Sequence, residues 1–274
     1  MSEGLLGLFE ERARGRRPTI AIGAGWERGD YAGKVLQAAM AVDFAEVVVV
    51  TGRDIPGSDD VTVHVSDDAE GMLVELLRSG EVDGVVRGSC SSSRVLTHLK
   101  RVFRASRLGR IALLETSDGR DFLFAPVGVD EGHTVEERLF LVREGIGLGR
   151  RLGVDLKVAV LGGGRKSDVG RHKKVDSSLN EAEEILNTVK EEGYSAIENY
   201  AILIEDAVEE GSNFIIAPDG ITGNLIFRTL AYLGGGRGYG AVMTGIDRVY
   251  IDTSRAATAE EYVAAIMMAS ALTG

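Results

Sequence analysis

The residues that could do chemistry lie in four segments, each directly after a short apolar run. In the first segment, Arg87, Ser89 and Ser91 follow the apolar run 84–86. Serine hydroxyls and free backbone N–H groups at the start of a helix, together with an arginine, are typical of a site for phosphate or another anion. Ordinary capping of the helix by serine is the alternative. Cys90 has no histidine or acid beside it in the sequence, so a packed thiol is a better interpretation than a nucleophile.

The second segment is a glycine-rich turn, LGGGRKS, that contains Gly163, Arg165 and Lys166. Five Lys or Arg residues lie between positions 165 and 174. The turn is not a Walker A loop, because Arg165 stands where a glycine should precede the lysine. In an acidic chain, this concentration of positive charge predicts a polyanionic ligand such as a nucleotide or coenzyme A. A solvated charged loop is the alternative interpretation.

The third segment, PDGITGN, places polar side chains after a buried strand. Asp219, Thr222 and Asn224 could contact a ligand, and Gly223 would let the backbone approach it closely. A plain turn is the alternative interpretation.

The fourth segment, DTSRAATAEE, contains Ser254, Arg255 and Glu261. Glu261 could be a general base, and Arg255 could pair with a developing oxyanion or a phosphate. Thr258 and Glu261 also have the spacing of a capping box, in which the glutamate only closes the start of a helix. The sequence leaves both interpretations open.

Composition limits the classes of ligand. The four histidines show no metal-ligand spacing, and with one cysteine a metal held by these residues is not expected. Thirty-one basic residues against 42 acidic ones leave a net charge of −11, which argues against nucleic-acid or anionic-membrane binding. No signal-peptide pattern and no apolar run of the roughly 20 residues that span a bilayer is present. We therefore expect a cytoplasmic protein.

The elements that must position these residues alternate between strands and helices. The predicted strands are 19–22, 47–50, 61–65, 84–86, 111–114, 122–125, 156–161, 214–217 and 248–251. The predicted helices are 69–77, 95–103, 135–152, 179–189, 200–208, 225–233 and 260–272. This alternation predicts an α/β fold with mostly parallel strands and helices on both faces, and residues 117–120 predict a hairpin. Ligands of such folds bind at the carboxyl ends of the strands, where all four segments lie.

Taken together, the four segments resemble the phosphate acetyl/butyryltransferase family in their order as well as their composition. PDGITGN resembles the family motif PD-x-x-T-GN, and DTSRAATAEE resembles D-L-SRG-x-x-x-x-D. LGGGRGYGAVMTG resembles LGG…GP-x-L-x-G, and VDGVVRGSCSSSRVL resembles D-G-x-V-x-G-…-T. The resemblance covers about residues 80–272, and the methyltransferase-related proteins of methanogenic archaea are the branch that the sequence resembles most.

The resemblance implies two lobes of the isocitrate/isopropylmalate dehydrogenase type with a cleft between them, and a homodimer. We expect the first lobe to comprise residues 1–150 plus 258–274 and the second 151–257, with the helix 135–152 as their connection. The family exchanges an acyl group between phosphate and coenzyme A. Its catalytic serine and arginine correspond to Ser254 and Arg255, and its aspartate base corresponds to Glu261.

These observations predict a phosphotransacylase-like acyltransferase for a small anionic substrate, with coenzyme A as a possible co-substrate and no tightly bound cofactor. The sequence departs from the family at Ala256, where the motif has glycine, and at Ala241, where it has proline. The alternative is a non-catalytic coenzyme- or nucleotide-binding or regulatory protein associated with methyl transfer in methanogenesis. A nicotinamide-dependent dehydrogenase is a weaker alternative, because no clear GxGxxG is present.

Overall fold

The apolar runs of the sequence become the buried strands of two α/β units in the computed structural model, which describes residues 4–26, 31–56 and 60–273. Unit 1 consists of the chain up to Leu108 together with the segment from Tyr239 onward, and unit 2 consists of Gly109–Gly238. We describe each unit separately.

Unit 1 begins with alternating helices and strands. They are α1 (Leu5–Ala13), β1 (Thr19–Ala24), α2 (Tyr31–Ala41), β2 (Glu46–Thr51), β3 (Thr62–Val65), α3 (Ala69–Ser79), β4 (Gly84–Val86) and α4 (Ser92–Phe103). Side chains from α3, α4 and β4 contribute to its core, including the fully buried Leu73, Leu77, Val85 and Leu99.

Unit 2 contains the next nine α-helices and β-strands along the described chain, together with a short 3-10 helix at Lys166–Asp168. They are β5 (Gly109–Glu115), β6 (Asp121–Ala125), α5 (Val135–Leu152), β7 (Val158–Leu161), α6 (Lys173–Glu191), β8 (Ile197–Ala201), α7 (Ile204–Glu209), β9 (Phe214–Ile216) and α8 (Gly220–Tyr232). Its strands lie in the order β5-β6-β9-β7-β8, and all neighbours are parallel except β5 and β6. The predicted hairpin joins this antiparallel pair, with Thr116 N donating to Arg120 O at 2.9 Å.

The chain then returns to unit 1 through β10 (Arg237–Thr244), β11 (Val249–Asp252) and α9 (Ala259–Leu272). The strands of unit 1 lie in the order β3-β2-β1-β4-β11-β10 and are parallel except for β10, which runs antiparallel to β11. The predicted α/β class with mostly parallel strands is therefore confirmed.

The division into units differs from the predicted lobe boundaries at 150 and 257. Residues 109–150 belong to unit 2 because β6 pairs with β9 and α5 packs against β5 and β9. Residues 239–257 belong to unit 1 because β11 pairs with β4. The helix predicted to connect two lobes, α5, has the predicted bounds Val135–Leu152 but lies wholly within unit 2.

Individual elements also differ from the prediction. The helix predicted over 200–208 is wrong at its start, because residues 197–201 form β8 and α7 begins at Ile204. Ala201 has a φ of 54°, in the left-handed region, and ends the strand. The sequence analysis also missed α1, α2 and β10. Among the described helices, none is both long and apolar enough to cross a membrane.

Candidate functional site

The strand order of unit 1 creates a crevice between the ends of β1 and β4. From β1 the chain proceeds outward to β2 and β3, then crosses back through α3 to β4 on the other side of β1. The connections after β1 and β4 thus leave in opposite directions. In open α/β sheets this reversal is where ligands bind, outside the carboxyl ends of the strands.

A cavity of about 390 Å³ lies at this point. Its wall includes the residues that follow β1, β2 and β4, and the start of α3. The polar and charged residues that line it are Arg53, Asp67, Glu70, Ser89, Ser91 and Arg94. The sequence analysis predicted Ser89 and Ser91 as ligand-binding residues, and the structure places both in this wall.

Glycines let the ends of β1 and β4 approach closely enough to form the base of the cavity. Gly25 N donates to Ser89 Oγ at 2.9 Å, and Ser89 N donates to Gly23 O at 3.0 Å. A Cβ atom on Gly23 would lie 2.6 Å from Cys90 Sγ, so no larger residue fits there. Gly88 has a φ of 60°, a conformation that glycine adopts readily.

Arg87 has a structural role at the base of the cavity. The side chain is buried, and its guanidinium donates to Asp252 Oδ1 and to the carbonyl oxygens of Thr253 and Cys90. Thr253 Oγ1 in turn donates to Gly88 O at 2.8 Å. Arg87 therefore ties the end of β4 to the end of β11, and Arg94 is the arginine of this segment that lines the cavity.

The N-terminus of α4 meets the cavity beside Arg94. Within the described chain, Ser91 at the N-cap makes no side-chain capping hydrogen bond, although its own N–H donates to Glu70 Oε1 at 3.1 Å. Arg94 Nη2 lies 3.3 Å from Glu70 Oε2 and 3.2 Å from Asp68 Oδ1, and its side chain is 52% exposed. The helix N-terminus favours binding of an anion, and the half-exposed guanidinium beside it is paired with both carboxylates.

Cys90 lies in the wall as a buried, neutral thiol. Burial raises the pKa of this thiol to about 12, and nearby Glu70 adds to the rise. The positive charges of Arg87, Arg94 and Arg255 oppose it and lower the pKa. The Glu70 carboxylate and three guanidinium groups therefore act on this thiol in opposite directions. The interpretation of Cys90 as a packed thiol agrees with its 1% exposure.

The segment after β11 brings the remaining predicted catalytic residues into unit 1. Ser254 Oγ accepts a hydrogen bond from Ala256 N at 3.3 Å. The carbonyl oxygen of Arg255 accepts one from the hydroxyl of buried Tyr262 at 3.1 Å, and burial raises the pKa of that tyrosine. Arg255 is thus fixed at its backbone, and its positive charge lowers the pKa of the Cys90 thiol.

Glu261 forms both hydrogen bonds of a capping box. Its Oε2 accepts from Thr258 N at 2.6 Å, while Glu261 N donates to Thr258 Oγ1 at 3.2 Å. The capping role that the sequence left open is therefore present. This hydrogen bond engages one oxygen of the proposed base.

The predicted ligand-binding residues of PDGITGN lie in unit 2 and stabilise its local structure. Asp219 caps α8, with Thr222 N donating to its Oδ1 at 2.7 Å. Asn224 Nδ2 donates to Val127 O at 2.9 Å. A Cβ atom on Gly223 would collide with Pro126 O, so the glycine permits close packing against the segment before α5.

The glycine-rich turn after β7 also belongs to unit 2. Gly163 N donates to Ser178 Oγ at 2.9 Å, and Arg165 N donates to Asp168 Oδ2 at 2.9 Å. The side chains of Arg165 and Lys166 are exposed. The site residues predicted from the sequence are thus divided between the two units, with Gly163, Arg165, Lys166, Asp219, Thr222, Gly223 and Asn224 in unit 2.

Sequence reasoning missed several residues of the cavity. Trp26 and Arg53 follow β1 and β2, and Glu70 lies in the first turn of α3. The strand-end rule could have found the first two, since GAGW and TGR follow apolar runs. Within the described ranges, no group of three or more His, Cys, Asp or Glu residues could hold a metal ion.

Comparison with curated proteins finds relatives along nearly the whole chain. The chain is 44% identical over 273 residues to a Methanosarcina mazei protein, covering 98% of this chain and 95% of that protein. It is 43% identical over 267 residues to one from Methanosarcina barkeri, covering 95% of each. Both relatives carry the name of a proposed subunit X of the methyltransferase mtx. No family model matches the chain.

Solved structures show what the fold is similar to. The EutD phosphotransacetylase from Staphylococcus aureus matches with a TM-score of 0.70 and 17% identity, covering 98% of both chains. A branched-chain phosphotransacylase from Enterococcus faecalis V583 matches with a TM-score of 0.71 and 15% identity, covering 94% of this chain and 100% of that one. A 4-hydroxythreonine-4-phosphate dehydrogenase from Klebsiella pneumoniae has a TM-score of 0.62 at 12% identity, covering 94% and 100%. The predicted fold type is confirmed.

The buried state of Cys90 makes its reactivity a test of the cavity wall. A pKa of about 12 instead of 9.0 lowers the thiolate fraction about a thousandfold at pH 8. Iodoacetamide should therefore label the native protein about a thousandfold more slowly than the protein unfolded in guanidinium, as measured by mass spectrometry. Because the folded pKa is raised, the thiol contributes stability that is present below pH 9 and lost as the pH rises towards 12. Comparable labelling rates in the two states would contradict this description.

Proposed function

The chain belongs to the mtx subunit X family of methyltransferase-related proteins, and from this premise we propose that it is a phosphotransacylase-like acyltransferase that uses the cavity of unit 1. It would move a small acyl group between phosphate and a thiol such as coenzyme A, which would be a co-substrate. The observation that carries the proposal is the N-terminus of α4, which meets the cavity beside the Arg94 guanidinium. Ser91 at the N-cap makes no side-chain capping hydrogen bond within the part of the chain that the structure describes, and a helix N-terminus favours an anion.

In the proposed reaction, Ser254, Arg255 and Glu261, which follow β11, each have a role. The thiol sulfur of the co-substrate attacks the carbonyl carbon of the acyl phosphate, and its proton passes to the Glu261 carboxylate. A carbon–sulfur bond forms, the carbon–oxygen bond to phosphate breaks, and phosphate leaves with the electron pair. Arg255 stabilises the oxyanion of the tetrahedral intermediate, and Ser254 orients the carbonyl group. Arg94 holds the phosphate.

A second candidate function is supported by the hydrogen bonds of Glu261. A carboxylate that closes a helix can be retained for stability alone. The chain would then be a coenzyme- or nucleotide-binding or regulatory protein that supports methyl transfer, a role that fits the names of its relatives. Anion binding at Arg94 would persist without acyl transfer.

Turnover by two Glu261 variants separates the two functions. Purified protein is mixed with coenzyme A and acetyl, propionyl or butyryl phosphate, and thioester formation is followed. Glutamine also forms a capping box, so Glu261→Gln keeps the cap and removes the base. If Glu261 is the base, kcat of E261Q falls about 10²- to 10⁴-fold while Tm is unchanged. Glu261→Ala should lose both turnover and thermal stability.

Two results would contradict the acyltransferase. One is full turnover by Arg255→Ala, because loss of an oxyanion partner should lower kcat about 10²- to 10³-fold. The other is the absence of thioester with all three acyl phosphates while coenzyme A still raises Tm, a result that assigns the binding function instead.

We also propose that the protein is a homodimer that associates through α8. This helix is apolar, yet only Gly220 and Gly223 of its residues are buried. Leu225 is 61% exposed, and Arg228, the one charged residue in the helix sequence, lies over the Tyr232 ring at 5.3 Å. In a chain of net charge −11, a face without acidic residues is where two copies approach with least repulsion.

The mass in solution tests this interface. Light scattering should give twice the chain mass of 29.3 kDa for the wild type, and the chain mass for Leu225→Glu. Val169→Glu is the matched control, because Val169 is an equally exposed apolar residue (66%) that lies outside α8. A monomeric wild type, or a dimeric L225E, would rule out this arrangement.

A further inference from the structure

The Arg94 guanidinium, which lines the cavity of unit 1, is held by two carboxylates. Its Nη2 lies 3.2 Å from Asp68 Oδ1 and 3.3 Å from Glu70 Oε2, and both acids belong to the start of α3. An anion that enters the cavity therefore competes with two carboxylates for one guanidinium. A group that neutralises one of these carboxylates strengthens the binding of an anion at Arg94.

His98 contacts the same carboxylate oxygen as Arg94. It lies one turn after Arg94 on α4, and its Nε2 is 3.4 Å from Asp68 Oδ1. Its Nδ1 is 2.8 Å from Arg101 Nη2, one turn further along the helix. Because a guanidinium can only donate, Nδ1 accepts this hydrogen bond, and Nε2 carries the proton of the neutral ring.

The charged groups around His98 come from two helices that pack against each other. The start of α3 contributes Asp68 and Glu70, and α4 contributes Arg94 and Arg101. Two carboxylates balance two guanidinium groups while the ring is neutral. Protonation of the ring adds a positive charge beside Asp68, and this charge competes with Arg94 for the carboxylate.

Solvent reaches the His98 ring. Its side chain is 15% exposed and lines a second cavity, of about 230 Å³, together with Ser93, Arg94 and Thr97. Histidine is the side chain whose charge ordinarily changes between pH 5 and 8. The pH of the solution can therefore set how strongly Asp68 holds Arg94.

We propose that His98 is a positioning residue whose protonation releases Arg94 from Asp68, so that the cavity of unit 1 binds a phosphate-like dianion more tightly at low pH. The inference rests on the proposed function because it uses the same anion site, and it adds regulation of that site by pH. The coupling is reciprocal, so a bound dianion also favours the protonated ring.

The affinity for sulfate as a function of pH tests the proposal. Sulfate remains a dianion from pH 5 to 8, whereas phosphate groups take up a proton in this range. Calorimetry at constant ionic strength should give a Kd about three- to fivefold lower at pH 5 than at pH 8, the effect of one partly exposed ion pair. An equal Kd at the two pH values would overturn the proposal.

Two substitutions that fix the charge at position 98 assign the pH dependence. His98→Gln keeps a polar side chain that takes up no proton, so its Kd should stay at the wild-type value for pH 8. His98→Lys carries a positive charge throughout, so its Kd should stay near the wild-type value for pH 5. His133→Gln is the matched control, because His133 lies in unit 2 and should leave the wild-type profile unchanged. A wild-type profile in H98Q would overturn the role of His98.

A substitution of Asp68 tests the shared carboxylate. Asparagine also caps helices, so Asp68→Asn removes the charge and keeps a capping residue for α3. Sulfate should bind D68N more tightly than wild type at pH 8, and the difference between pH 5 and 8 should shrink. Wild-type affinity at both pH values would contradict the competition for Asp68.

Arg94→Gln distinguishes failure of this inference from failure of the proposed function. If R94Q binds sulfate as wild type does, the anion site of the acyltransferase and this inference are both contradicted. If R94Q weakens sulfate but H98Q keeps the wild-type profile, the anion site stands and the role of His98 is wrong. If the profiles are as expected but acyl phosphates give no thioester, acyl transfer is contradicted and this inference stands.

Discussion

The buried guanidinium of Arg87 is the interaction on which the rest of unit 1 depends. It joins two segments separated by 165 residues in the sequence by donating to the Asp252 carboxylate and to the carbonyl oxygens of Thr253 and Cys90. A buried charge is tolerated only when it is paired and hydrogen-bonded, so loss of one partner leaves the other unsatisfied. Through Arg87, the end of β11, which precedes Ser254 and Arg255, is joined to Cys90 in the cavity wall.

Steric constraints at the strand ends complete the cavity. The ends of β1 and β4 approach so closely that Gly23 and Gly88 have no room for a side chain. This packing fills the base and buries Cys90, whose thiol stays neutral despite three nearby arginines. The polar and charged residues that line the remaining space are Arg53, Asp67, Glu70, Ser89, Ser91 and Arg94. Such a preformed site loses little entropy when a ligand binds.

Much of the fold and part of the site could be predicted from the sequence. Apolar periodicity gave the bounds of α5, and the strand-end rule identified Ser89 and Ser91. The strand β10 was missed because its sequence, RGYGAVMT, carries glycines instead of a continuous β-branched run. The motif PDGITGN was noticed for its polar residues, yet its glycines serve packing and its aspartate caps a helix.

The remaining site residues could not be predicted because topology brings them together. Trp26, Arg53 and Glu70 come from three connections of unit 1, and no spacing in the sequence relates them. Arg87 and Arg94 are equivalent in the sequence, but one is 5% exposed and the other has a half-exposed side chain. Burial of a charged side chain depends on its distant partner Asp252, which local sequence does not reveal.

A crystal structure of the protein soaked with inorganic phosphate tests the central claim most directly, which is that the cavity of unit 1 is the anion site. The account predicts phosphate within hydrogen-bond distance of the Arg94 guanidinium and the first backbone N–H groups of α4. Phosphate bound instead at the basic turn of unit 2, beside Arg165 and Lys166, with the cavity of unit 1 empty, would contradict it.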